Sequence, residues 1–235
     1  MNPILITRAP LIVIPLLLAA GCQVPPVAET RPVAPSPAPV IVPSDAPRYA
    51  VDPQASEIRL LVYRDGPLAR FGHNHVIVGR VQGEIRAGET AAGSGFRLEI
   101  PAESLTVDPP AARAEEGEAF AALVSDPARR GTRENMLGTD VLDVAHHPLI
   151  RIESVALSGP AWGPTVTARV ALRGTARDLR FPAAVVRQGD ALVVIASFPV
   201  SQTAFGIKPF SALNGGLQVR DALDVRLRVV ARRED

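Results

Sequence analysis

The chain has 235 residues, of which 47% are hydrophobic and 21% charged, with 23 prolines and a single cysteine. Lys and Arg number 25 against 24 Asp and Glu, and a net charge of +1 excludes the basic field by which a general nucleic-acid binder displaces phosphate counterions. One cysteine excludes a disulfide within the monomer and every zinc or iron–sulfur site built on paired cysteines. Lys208 is the only lysine, a bias that genome base composition explains as well as anion recognition does.

Arg8 precedes an apolar run over residues 11–20, too short to span a bilayer as a mature helix and the right length for a signal h-region. The run ends in Leu18-Ala19-Ala20-Gly21-Cys22, which resembles a bacterial lipobox, although Ala19 stands where leucine is usual. Residues 1–21 therefore read as a lipoprotein signal peptide and Cys22 as the lipidation site; an ordinary signal peptide or a single membrane anchor is the alternative. Over residues 22–47 eight prolines alternate with Val and Ala. Such a segment favours extended polyproline II and reads as a semi-rigid tether. Gln23 is not the aspartate that retains some lipoproteins in the inner membrane. The expected location is the bacterial cell envelope, facing the periplasm, with the outer membrane favoured.

Residues 48–235 read as one strand-rich domain. Glu57-Ile58-Arg59-Leu60-Leu61-Val62-Tyr63 is rich in β-formers with partial alternation, and Phe96-Arg97-Leu98-Glu99-Ile100 alternates strictly. Ile150 and Ile152, then Val155 and Leu157 after a slip of phase, mark a further strand. Val166, Ala168, Val170 and Leu172 mark another, and the apolar run over residues 191–195 reads as a strand buried on both faces. Leu223-Asp224-Val225-Arg226-Leu227-Arg228-Val229 alternates again with arginines outward. Two helices interrupt the series, one over residues 111–124 and one capped by Asp126 and running to Leu137. Glu115, Glu116 and Glu118 read as a solvated helix face. Arg129, Arg130 and Arg133 form either a phosphate receiver or an exposed face answering those acids.

Several segments, taken in order, resemble the YceI-like family: Tyr49-Ala50-Val51-Asp52-Pro53-Gln54-Ala55-Ser56; Asp140-Val141-Leu142-Asp143-Val144 with Pro148-Leu149-Ile150-Arg151-Ile152-Glu153-Ser154; residues 166–177; and Phe205-Gly206-Ile207 with the last strand. The resemblance implies a mainly β fold, an eight-stranded antiparallel lipocalin-like β-barrel, here with a short two-helix insertion. It also implies a periplasmic binding protein for a long apolar ligand such as a polyisoprenoid, a quinone-like lipid or a fatty amide. Two segments depart from the family pattern: residues 66–75, and a longer helical excursion over residues 111–131.

The four histidines occur only as His73-Asn74-His75 and His146-His147. Residues i and i+2 of a strand share a face, so His73 and His75 can act together. Three readings stand: a metal pair completed by His146 or His147 with Asp65 or Asp143, a polar mouth donating to a ligand head group, or plain structural histidines. No Gly-x-Ser-x-Gly elbow, His-Glu-x-x-His or Gly-x-x-x-x-Gly-Lys loop is present. The expected function is thus a membrane-anchored binding module rather than an enzyme, with no cofactor and no bound metal. Phe71, Met136, Phe205 and Phe210, outside the regular strands, are candidates for an apolar mouth, with His73 and His75 as its polar groups. The alternative is a metal-dependent enzyme or redox accessory protein using His73 and His75.

Overall fold

Alternation of inward apolar and outward charged residues builds the wall. In the computed structural model, which describes residues 46–234, β14 (Ala222–Arg233) buries Val225, Leu227, Val229 and Ala231 while Arg226 and Arg228 point to solvent. β9 (Thr165–Leu172) buries Val166, Ala168 and Val170 in the same way. β8 (Leu149–Ser158) carries a bulge where its pairing with β9 shifts between Ser154 and Ala156. That extra residue is the slip of phase in the sequence, and it lets both Ile152 and Val155 be buried.

Eight strand positions close into an antiparallel barrel. β1 (Arg48–Val51) and β2 (Glu57–Val62) share the first position, since both pair with β14. β4 (His75–Arg80) and β5 (Gln82–Arg86) share the second, following the two-residue β3 (Arg64–Asp65). β6 (Gly95–Pro101), continued by β7 (Thr106–Val107), forms the third. β8, β9, β10 (Thr175–Gln188), β11 (Ala191–Ser201) and β14 supply the remainder, and β14 returns to β1. Closure leaves no open edge along this wall. β12 (Ser211–Ala212) and β13 (Leu217–Val219) form a small separate sheet with β3.

The break between β1 and β2 is filled by a side chain. The buried Ser56 hydroxyl accepts from the Val230 N–H (2.9 Å) and donates to the Val230 carbonyl (3.2 Å), standing in for the missing rung. Ser56→Ala leaves that N–H without an acceptor. Stability is expected to fall by about 1–3 kcal/mol, read as a lower urea midpoint with an unchanged slope. The second strand position bends at Val81, and at Gly83 (φ +134°) a Cβ would lie 2.1 Å from the Arg97 carbonyl oxygen. Only glycine fits so close a strand approach.

The insertion departs from expectation in its first helix, whereas the second runs to Leu137 as expected. α1 (Pro110–Ala114) is a single turn, and Gly117 (φ +74°) ends any continuation before a 3-10 turn over Glu118–Phe120. The Arg113 guanidinium stops the helix from running on, because it collects the carbonyls of Phe120 (2.5 Å) and Ala122 (2.8 Å). Ser125, not Asp126, caps α2 (Asp126–Leu137), its hydroxyl accepting from the Ala128 N–H. Asp126 instead occupies the first turn, where its charge suits the helix dipole, and pairs with Arg129.

The first part of this insertion, α1 and the 3-10 turn, packs on the outside of the barrel. Ala112 and Phe120 bury Leu61 and Val76, the outward residues of β2 and β4, which explains the imperfect alternation in that stretch. Glu116, with its side chain 2% exposed, is clamped by Arg59 (2.7 Å) and Arg226 (2.6 Å), so this one acid of the run is a fastening, while Glu115 and Glu118 stay exposed as expected of a solvated face. The run over residues 191–195 is corrected in the opposite sense. Leu192 and Ala196 face in, but Ile195 is half exposed, because no element among the described residues covers β11 from outside at that point.

Candidate functional site

Inward aliphatic side chains of β2, β4, β8, β9, β11 and β14 surround a cavity of about 380 Å³, with the face of α2 bearing Ala128, Thr132, Asn135 and Met136 along one side. This is the scale of a small-molecule site. Its inner end is closed by Phe181 and Phe198, cross-strand neighbours whose rings stack at 4.0 Å and 13°. Phe198 lines the large cavity, Phe181 lines a separate space of about 70 Å³ beyond it, and Ile152 touches both. At the other end the cavity opens between Phe71, which is 64% exposed, and Phe210, which is 44% exposed.

Of the residues singled out in the sequence, Phe71, His73, His75, Met136 and Phe210 line this one cavity. Phe205 does not. It is buried in the core at the end of a 3-10 turn, and its neighbour Ile207 lines the cavity instead. A phenylalanine outside a regular strand carries no periodicity to say which way it points, so sequence reasoning had no means of separating the two.

The polar end is built around a residue that sequence reasoning missed. Asp108 is fully buried and sits at φ +54°, an uncommon conformation for a side-chain-bearing residue. Its carboxylate accepts from His75 Nδ1 (2.7 Å), the Val76 N–H (2.8 Å) and Arg113 (2.6 Å). Burial alone would raise this carboxyl, but the hydrogen bonds from His75, Val76 and Arg113 overcome it and hold the group below the usual aspartate range. An ionised carboxylate only accepts, so Nδ1 of His75 carries the hydrogen and Nε2 is left for the cavity side. The one sequence signal was Asp108-Pro109-Pro110, an acid before two prolines directly after a strand. It marks a turn, not a partner for His75.

Of the other arginines and histidines singled out, Arg130 is exposed, and Arg129, Arg133, His146 and His147 have local neighbours. Arg133 donates to the carbonyls of Leu105 (3.2 Å) and Glu103 (2.9 Å), and Arg129 to that of Asp108 (3.3 Å), so these two hold α2 against the barrel. His146 Nδ1 lies 2.9 Å from Asp143, and His147 packs over Gly174; neither lines the cavity. Asp65 accepts from the Gly66 N–H. Among the described residues no group of three or more His, Cys, Asp or Glu gathers at metal-binding distance.

A closed antiparallel barrel with an aliphatic cavity and one polar, aromatic-flanked opening has room within its wall for one small or slender molecule. Residues 49–231 match the family model described as the YceI-like domain, and the chain belongs to that family. Among solved structures it is similar to BcnA of Burkholderia cenocepacia, at 14% identity and a TM-score of 0.51, covering 77% of this chain and 98% of that one. It is also similar to a polyisoprenoid binding domain from Saccharophagus degradans implicated in plant cell wall breakdown, at 12% identity and a TM-score of 0.51, covering 79% and 98%. At these identities the likeness is one of fold. No curated protein gives a significant sequence match.

Proposed function

We propose that the protein is an envelope carrier that holds one long apolar chain, of the polyisoprenoid class, inside the barrel. The observation that carries this is the aliphatic cavity of about 380 Å³, closed at the inner end and open at a rim of exposed aromatic side chains. The polyisoprenoid-binding description of the Saccharophagus relative supports the same ligand class. At roughly 30 Å³ per small group in a liquid, the space takes on the order of a dozen chain carbons. At about 0.8 kcal/mol per buried methylene, chain burial outweighs any single head-group contact. In this reading the barrel carries and shields its ligand and does not transform it.

A lipid extract of the protein purified from its envelope, analysed by mass spectrometry, tests this directly. A co-purified prenyl or similarly long chain is expected; a barrel that neither retains nor takes up such chains overturns the reading.

Attachment in this proposal runs through Cys22, which lies outside the described residues together with the signal segment and most of the tether. Two or three acyl chains on Cys22 would hold the protein on the periplasmic side of the membrane, the outer one favoured by Gln23. Cys22→Ser is therefore expected to move the protein from the membrane fraction to the soluble fraction. Retention of the variant in the membrane fraction would count against lipidation.

A further inference from the structure

We propose that two loops on the outer surface of the barrel end form a docking platform for an anionic phospholipid bilayer, carried by Leu213 and Phe71 with Arg70, Lys208 and Arg220. Leu213, Arg70, Lys208 and Arg220 do not line the cavity, so the platform is separate from whatever the barrel holds.

The first argument is where apolar surface is left in water. Seven large apolar side chains are exposed among the described residues, and three of them, Phe71, Phe210 and Leu213, stand on the loops 66–72 and 207–216. These loops form one unit. β13 pairs with β3, the Leu68 N–H donates to the Gly216 carbonyl (2.7 Å), and the Val219 N–H donates to the Phe210 carbonyl (2.9 Å). Leu213 is 66% exposed at φ +53°, followed by Asn214 at φ +53° and Gly215 at φ +88°. A left-handed leucine is a costly conformation. Here it holds an aliphatic side chain out in solvent, and a surface that takes Leu213 out of water offsets that cost.

The second argument is charge. Segments 64–72 and 207–221 carry Arg64, Arg70, Lys208 and Arg220 against Asp65 and Asp221. Both acids are turned to local donors. Asp65 accepts from the Gly66 N–H (2.7 Å), and Asp221 from the Ser201 hydroxyl (2.6 Å) and the Thr203 N–H (2.8 Å). The four cations make no ion pair among the described residues, whereas wall arginines such as Arg48, Arg97 and Arg151 pair with Glu84, Glu153 and Glu99. The Arg70 guanidinium lies 4.5 Å over the Phe71 ring, and that of Arg220 lies 5.1 Å over Tyr63. A ring with an adjoining cation suits the headgroup layer, the ring toward the acyl chains and the charge among the phosphates. Lys208 is the chain's one lysine, a residue type depleted from protein–protein interfaces and favoured at an anionic lipid surface.

The single tryptophan supplies an internal reference for the test. Trp162 is 74% exposed in the turn between β8 and β9, at the inner end of the barrel, where the flanking Leu157 and Val166 line the small inner space. The unaltered full chain is compared with a variant carrying Trp162→Phe and Leu213→Trp, each mixed with phosphatidylglycerol vesicles whose acyl chains bear bromine, a contact quencher of tryptophan. The relocated tryptophan is expected to be quenched and Trp162 to stay bright. Arg70→Gln with Lys208→Gln should weaken binding to these vesicles about fivefold per cation removed, the scale of one basic side chain at an anionic surface. Farnesol affinity should stay unchanged in that variant, because neither residue lines the cavity. Equal quenching at both positions overturns the proposal, as does quenching at neither, the result that attachment through the N-terminal segment alone would give. Undiminished vesicle binding by the glutamine pair also overturns it. A lipid-free dimer that Leu213→Ser dissolves overturns it as well and assigns the face to a second copy of the chain. None of these outcomes touches the carrier reading, which farnesol binding reports separately.

Discussion

Asp108→Ala is expected to destabilise the protein by about 3–5 kcal/mol, the scale for breaking a buried ion pair by removing one partner. The substitution leaves Arg113, whose side chain is 11% exposed, without its counter-charge, and the buried Val76 N–H without an acceptor. It also frees the His75 ring. Asp108→Asn separates the causes, since Asn tolerates the left-handed backbone at φ +54° and keeps an acceptor while removing the charge. Its cost should be smaller and should depend on pH. The folded-state carboxyl is held below its ordinary value, so its contribution is complete above the usual aspartate range, about 3.9, and is lost as pH falls through the depressed value. Urea unfolding at neutral and acidic pH should show the unaltered protein and the Asn variant converging in acid. Parallel curves would mean that the charge of Asp108 contributes nothing to folding.

Phe198→Ala is expected to lengthen the chain that the barrel prefers. The Phe181–Phe198 stack is the partition between the main cavity of about 380 Å³ and the space of about 70 Å³ behind it. Removing one ring joins the two, because Ile152 already borders both. Affinities measured over a series of prenols should then peak at a greater length than in the unaltered protein. The truncation costs about 3–5 kcal/mol of stability, so Phe198→Leu serves as the companion. It fills more of the space, loses the stacking and should shift the preference less. An unchanged length profile in a folded Ala variant would show that the stack does not set the limit.

Much of the wall could be read from local pattern. In β14 the period of two places Val225, Leu227 and Val229 inside and the arginines outside, as the structure has it. In β8 the break in that period is a bulge. Family-level pattern gave the number of strands and their closure. The candidate site was legible in part, since loop apolar residues and the His73-Asn74-His75 cluster pointed to the opening. Phe205 and the end of the first helix were misplaced, because the direction of a loop side chain and the end of a short helix depend on partners far away in the chain.

By itself, then, the sequence determined a strand-rich domain of the YceI-like pattern, because alternation and composition are local properties. The tertiary structure alone decided which second faces are covered. Leu61 and Val76 are buried from outside by the insertion, whereas Ile195, equally apolar, is left half exposed. It alone also decided that Asp108 meets His75. That contact follows from β7 pairing with β4 through Ile77 opposite Val107, a juxtaposition across 33 residues of chain. No periodicity encodes a contact of that range, and the polar end of the cavity depends on it.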